Sequence, residues 1–322
     1  MDPFKIKTHQ EFENIAIAMF NTQFKNNAVY NKYCSLLGVS PSKIDKLVKI
    51  PFLPIQFFKT HKVISSKKKI SHIFKSSGTT GDRSINYVSN IDVYIKSFSR
   101  CFEDFYGSIK NYTFLALVPS YIEQKNSSLV FMLDNFIQRS LYEESEFYLY
   151  NYKRLFNVLN KLKDSNRKII LFGVSYALLD FVEKHPISMK NLIVIETGGM
   201  KGKREEMTKD QLHNELKKGF GTKEIHSEYG MTELYSQGYS KDGEKFQNPN
   251  WMKIFVRDIT NPLNISNTGK GAINIIDLAN KNSCAFIASD DIGEVFKDNS
   301  FKINGRLSEA EVRGCNQLFY KN

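Results

Sequence analysis

The stretch Ser76-Ser77-Gly78-Thr79-Thr80-Gly81-Asp82-Arg83-Ser84 follows directly on Ile70 to Phe74, and its reading decides the rest of the chain. Ile70 to Phe74 predicts a strand, and a strand that opens into a loop of glycines and hydroxyls suits an anion. Glycines let the backbone approach closely, and hydroxyls with a row of N–H groups can wrap phosphates. The same residue types also build plain surface turns. Packing them into one block straight after a strand argues against a plain turn. The block is not a Walker loop, because G-x-x-x-x-G-K-[ST] is absent.

Working outward, the text alternates strand and helix. Further strands are predicted over Thr113 to Val118, Lys168 to Phe172 and Asn191 to Ile195, with helices over Val93 to Tyr106, Asn151 to Leu162 and Tyr176 to Lys184. Near-continuous apolar strands between helices predict a parallel sheet covered on both faces. Upstream, Phe12, Ile15, Ala16, Met19 and Phe20 recur at helical spacing. Pro51 and Pro54 forbid a regular helix interior and make Ile50 to Phe58 an extended apolar segment. Thr208 and Gln211 fit a capping box, and Lys217-Lys218-Gly219 fits a positive helix end with a glycine stop. After about residue 245 short strands (Trp251 to Val256, Gly271 to Asp277, Ser283 to Ala288) are split by turn-rich segments. The expectation is an α/β fold with a core over 1–245 and a small β-rich subdomain over 246–322.

Composition narrows the function classes. The chain has 322 residues, of which 41% are hydrophobic, so it must bury a sizeable core and is not disordered. No apolar run reaches the length of a membrane-spanning helix, and the N-terminus lacks a secretory apolar stretch. A cytoplasmic protein without a membrane span is expected. The net charge of +11 raises the question of nucleic acid, but only nine of the 45 basic residues are Arg. Short lysine blocks without interleaved aromatics read as solvated surface, so no nucleic-acid partner is expected. Cys34, Cys101, Cys284 and Cys315 lack paired spacing, as suits reduced thiols; the first three lie in apolar surroundings and read as buried. His72 and His226 stand beside chemically suggestive blocks but read as structural.

About 150 residues after the first block comes a second, Glu228-Tyr229-Gly230-Met231-Thr232-Glu233-Leu234. The pair S-S-G-T-T-G and Y-G-M-T-E resembles the adenylate-forming superfamily of acyl ligases. That resemblance implies that Ser76, Ser77, Gly78, Thr79, Thr80 and Gly81 cradle the phosphates of ATP. It implies further that Tyr229 and Gly230 meet the adenine, Thr232 the α-phosphate, and Glu233 a Mg²⁺ ion. A carboxylate for a hard cation and a flat ring for a base are chemically apt. Thr197-Gly198-Gly199-Met200-Lys201-Gly202 matches the turn that wraps the adenine, giving Gly198 and Gly199 that role. Ala288-Ser289-Asp290-Asp291-Ile292-Gly293 resembles the block whose Asp binds the ribose; register favours Asp291, with Asp290 a near competitor. The Arg and Thr of that block are missing here.

Gly305-Arg306 resembles the superfamily's hinge motif, which adds Arg306 to the cofactor-binding set. The chain then runs Arg313-Gly314-Cys315 to Asn322, the length expected of an adenylating core without its mobile C-terminal domain. With Pro51-Phe52-Leu53-Pro54 and Glu228 to Gln237, these motifs resemble the LuxE-type acyl-protein synthetases. That family is the fatty-acid-activating component of bacterial luminescence fatty-acid reductase and is related to phenylacetate–CoA ligase. The resemblance implies ATP-dependent activation of a fatty or other carboxylic acid to acyl-AMP, then transfer to Cys315 and on to a reductase or carrier partner. A thiolate is the attacking form of cysteine, and Arg313 nearby favours it if it points the same way. Lys201, or a partner protein, is a candidate to replace the lysine that the superfamily carries on its mobile domain. Two rivals stay open: an acyl–CoA ligase in which CoA accepts the acyl group, and a nucleotide-binding scaffold without catalysis.

Overall fold

The computed structural model describes residues 2–65, 67–77, 83–118, 126–200 and 203–307. Two compact units emerge: Met1–His72, Ser84–Asn90 and Asn250–Asn322 form one, and Ile73–Arg83 with Ile91–Pro249 the other. The first unit differs from a simple division at residue 245, because N-terminal helices are bonded to the C-terminal sheet. In the helix His9–Asn26, buried Gln23 donates from Nε2 to the carbonyls of Asn280 and Lys281, and its Oε1 accepts from the Ala285 N–H. Tyr30 stacks on Phe286 with ring centroids 5.8 Å apart. Sequence distance gives no hint of such pairings.

The second unit is built on a six-stranded sheet. Its order is Glu146–Phe147, Tyr112–Leu117, Lys168–Val174, Leu192–Thr197, His226–Tyr229 and Gly238–Ser240. The first five run parallel and the last antiparallel. Every residue of Tyr112–Leu117 is buried, as continuous apolar strands require when both faces are covered. The expected helices form as Ile91–Tyr106, Tyr152–Leu162 and Ser175–Lys184. Thr208 caps the helix Lys209–Phe220 through a complete capping box with Gln211.

That helix ends differently from the expectation. Its stop is Gly221, left-handed at φ +60°, while Gly219 lies inside the last turn. A Cβ at Gly219 would stand 2.4 Å from the Val182 Cβ, so this glycine serves the packing of helix on helix. Two further expectations shift. Phe57–Thr60 closes the proline segment as one helical turn, and only Leu53–Pro54 is strand. The strand expected over Ser283 to Ala288 runs over Phe286–Val295.

The first unit carries a mainly antiparallel sheet ordered Leu53–Pro54, Phe286–Val295, Gly269–Asp277, Met252–Arg257, Ile265–Ser266, with Phe301–Arg306 also paired to Phe286–Val295. Cys34, Cys101 and Cys284 are buried free thiols, and burial pushes Cys34 up to about 12. Among the described residues no helix is long and apolar enough to cross a membrane.

Candidate nucleotide and acyl site

The second unit gathers its candidate residues at the carboxyl ends of two neighbouring parallel strands. Leu192–Thr197 ends in the Gly198-Gly199 turn, and His226–Tyr229 ends in Tyr229-Gly230. Thr197 and Glu228 are register partners, so the two turns leave the sheet side by side. Crevices outside the carboxyl ends of parallel strands are where open α/β sheets bind ligands. Gly198 sits at φ +69°, a conformation that a side chain would strain. Among the described residues a Cβ on Gly199 would meet nothing within 4 Å.

Tyr229 is 9% exposed, and its ring packs at 58° against Phe246 with centroids 5.9 Å apart. The Lys209 ammonium lies 4.4 Å from the Phe246 centroid on that ring's face. Gly230 is closely approached: a Cβ there would stand 2.5 Å from Glu228 Oε1. Thr232 is half-buried and Glu233 is buried, followed by fully buried Leu234 and Tyr235. Tyr235 connects this block to the strand before the hydroxyl-rich loop. Its ring meets Tyr94 at 5.2 Å, and Tyr94 meets Phe74 of the strand His72–Lys75 at 5.0 Å. Ser76 and Ser77 follow that strand directly. Helix Ile91–Tyr106 is the brace between the two, with Ser97 Oγ and Ser236 Oγ also 2.9 Å apart.

Several expected residues lie outside the described residues: Gly78, Thr79, Thr80 and Gly81 of the loop, Lys201 of the glycine turn, and Cys315. Asp291 and Arg306 belong to the first unit. They are register partners on adjacent strands, with Arg306 Nε donating to Asp291 Oδ1 at 3.0 Å. Asp291 is buried, and its N–H donates to Ser289 Oγ. Asp290 is engaged separately, accepting from Gln56 Nε2 at 2.6 Å. Half-buried Arg257 holds the backbone beneath both, donating to the carbonyls of Ile273 and Ser289.

His226 has the structural role expected of it. Its Nδ1 is 3.0 Å from the Tyr106 hydroxyl, and the two rings stack at 5.7 Å. Burial, helped by the Lys241 charge and opposed by Asp242, lowers this histidine to about 4, so it is neutral at physiological pH.

One cluster was not anticipated. Glu196 is buried at the end of its strand, where Oε1 accepts from Ser227 Oγ at 2.5 Å and faces His213 Nε2 at 3.4 Å and Lys209 Nζ at 3.7 Å. Burial works against the charge. The His213 hydrogen bond, the Lys209 ammonium and the Ser227 hydroxyl outweigh it and hold the carboxyl below its ordinary value. The available signal was a charged residue closing the apolar run Leu192-Ile193-Val194-Ile195.

A family model described as acyl-protein synthetase, LuxE, matches residues 2–322. No curated protein matches the chain. Among solved structures, ATP-bound MatB from Rhodopseudomonas palustris is similar at TM-score 0.56 and 15% identity, over 75% of this chain and 49% of that one. A 2-hydroxyisobutyryl-CoA ligase in complex with 2-HIB-AMP and CoA is similar at TM-score 0.69 and 13% identity, over 94% and 69%. The amide bond synthetase McbA from Marinactinospora thermotolerans is similar at 0.51 and 14%, over 74% and 49%. The chain thus spans about half the length of the MatB structure. At these identities the likeness is one of fold, and that fold is shared by adenylate-forming enzymes.

Proposed function

The chain belongs to the LuxE acyl-protein synthetase family, and on that premise we propose that it activates a fatty acid with ATP and carries the acyl group on Cys315. One observation supports this most: the Gly198-Gly199 turn and Tyr229-Gly230 stand together at adjacent strand ends. In this reading the turn and the Tyr229 ring receive the adenine, and Thr232 donates to the α-phosphate. Ser76 and Ser77 begin the loop that takes the outer phosphates, with Gly78, Thr79, Thr80 and Gly81 completing it. Asp291 accepts from the ribose hydroxyls, with Arg306 as its ion-pair partner.

The donor set suits magnesium carried in with the nucleotide. Mg²⁺ commonly takes one or two carboxylates and fills its other positions with phosphates and water. Glu233 supplies one carboxylate, and among the described residues no group of three or more acidic, His or Cys side chains is arranged as a closed cage. Bound there, the ion supplies neutralising charge to the phosphates.

The chemistry balances in two steps. A carboxylate oxygen bonds to the α-phosphorus while the bond to pyrophosphate breaks, giving acyl-AMP. The Cys315 thiol then loses its proton, its sulfur bonds to the acyl carbon, and AMP leaves. A reductase or carrier partner would take the acyl group from the thioester. Lys201, in the glycine turn, is the proposed cation for aligning the carboxylate with the α-phosphate.

Intact-mass spectrometry after incubation with ATP, Mg²⁺ and a panel of fatty acids tests the reading. The expected result is a hydroxylamine-labile acyl adduct that is absent in Cys315→Ala, with pyrophosphate exchange retained in that variant. The mass of the adduct names the acyl chain. Acyl-CoA formation that persists in Cys315→Ala would point instead to a CoA ligase. Absence of exchange with every carboxylate would leave a nucleotide-binding scaffold.

A further inference from the structure

The two strand ends carry two buried glutamates on opposite faces of the sheet, because successive strand residues alternate. On one face Thr197 Oγ1 donates to Glu228 Oε2 at 2.5 Å. On the other, Glu196 meets the first residue of a helix. Fully buried Ser175 begins Ser175–Lys184, and its hydroxyl lies 3.1 Å from Glu196 Oε2 and 2.7 Å from the carbonyl of Gly198. A serine hydroxyl has one hydrogen, and here it has two acceptors. We propose that Glu196 is a positioning residue that, through Ser175, sets how firmly the Gly198-Gly199 turn is held for a nucleotide. The proposal rests on the adenine-binding role given to that turn.

The partners of the other carboxylate oxygen fix which way a side chain at 196 must turn. Oε1 faces Ser227, His213 and Lys209, all of them donors to a carboxylate. His213 is itself pinned by Gly243, where a Cβ would stand 2.1 Å from its ring. A glutamine at 196 must therefore turn its carbonyl toward those three groups and its amide toward Ser175. The amide would donate to Ser175 Oγ, and the hydroxyl would then give its hydrogen wholly to the Gly198 carbonyl. A carboxylate competes with the turn for that hydrogen; an amide surrenders it. Ser175→Ala and Glu196→Gln should consequently act in opposite directions on the turn, although both remove part of one network.

Amide hydrogen exchange at Gly198 to Met200 in the nucleotide-free protein, with ATP·Mg²⁺ affinity by calorimetry, tests this. Ser175→Ala is expected to speed exchange and weaken ATP binding by about fivefold, the usual worth of one hydrogen bond. Glu196→Gln is expected to leave exchange unchanged or slower and ATP binding equal or tighter. Ser175→Cys, close in size and a weak donor, provides the same comparison if the alanine variant does not fold; its exchange should also rise. Faster exchange in Glu196→Gln would overturn the proposal, since it would make Glu196 an ordinary structural tie. Unchanged exchange in Ser175→Ala or Ser175→Cys would overturn it while leaving ATP binding by the wild type intact. An exchange pattern as expected, but with no ATP binding by any form, would overturn the nucleotide role of the turn and the proposal with it.

Discussion

Glu196 and Asp291 are both acidic residues buried on strands, one in each compact unit, and their surroundings make them different instruments. Glu196 is ringed by Ser227, His213, Lys209 and Ser175 from the neighbouring strand and two helices, and it is 5% exposed. Asp291 is 6% exposed, yet its ion-pair partner Arg306 is a side chain 69% exposed on the adjacent strand. A carboxylate enclosed by its own chain's donors acts on that chain. A carboxylate whose partner reaches in from solvent can trade that partner for a ligand hydroxyl. On the function proposed, the first holds a turn and the second binds a ligand.

The most damaging way to probe the contrast is Glu196→Ala. Removing one member of a buried ionic cluster leaves the others without compensation and costs about 3–5 kcal/mol. Lys209 is 31% exposed on its side chain and can turn outward, so the cost should fall mainly on buried His213 and Ser227. Urea denaturation would show it as a lower midpoint with an unchanged slope. A loss below about 1 kcal/mol would mean that Glu196 is no more embedded than a surface pair.

Acid titration sharpens the same point. Glu196 has a folded pKa held below its ordinary value, so its contribution is present above 4.5 and is lost as pH falls through the folded value. His226 acts over a higher window. Its folded pKa, lowered from 6.5 to about 4, makes the unfolded chain the better proton binder, so stability drops as pH falls from about 6.5 toward 4. Stability measured from pH 7 to 3 should decline in two stages. Glu196→Gln should flatten only the stage below 4.5, and His226→Asn only the stage above it. If Glu196→Gln left the acid stage unchanged, the carboxylate would not be held ionised by its neighbours.

What was legible in the sequence follows what is local. Leu192-Ile193-Val194-Ile195 reads as a buried parallel strand because an uninterrupted apolar run has no solvent face. Thr208 and Gln211 read as a helix start because the capping box is complete within four residues. The glycine stop was misplaced by two residues: Gly219 and Gly221 both satisfy the local rule, and contact with Val182 decides between them. The turn and the Tyr229 block were legible as motifs. The Glu196 cluster was not, because its members at 175, 196, 209, 213 and 227 meet only through strand register and helix docking. Gln23 shows the same limit in the first unit, where its partners lie more than 250 positions away.

Arg306→Ala is the mildest substitution and acts on Asp291. The guanidinium is mostly solvated, so its pair with Asp291 should contribute less than about 1 kcal/mol, and that contribution should shrink further in high salt. If Asp291 serves a ligand, removing Arg306 has two opposed consequences for ATP. It frees the carboxylate from a competitor, and it removes a positive charge that can attract the nucleotide. The two change ATP affinity in opposite directions, so the sign of the change separates them, and salt screens the attraction of charge for charge. Loss of ATP affinity that vanishes at high ionic strength would mean that Arg306 attracts the nucleotide as a charge. A gain at low ionic strength would mean that Asp291 was being released to the ribose. A fall in stability as large as that of Glu196→Ala would instead place Asp291 in the same structural class as Glu196 and dissolve the distinction.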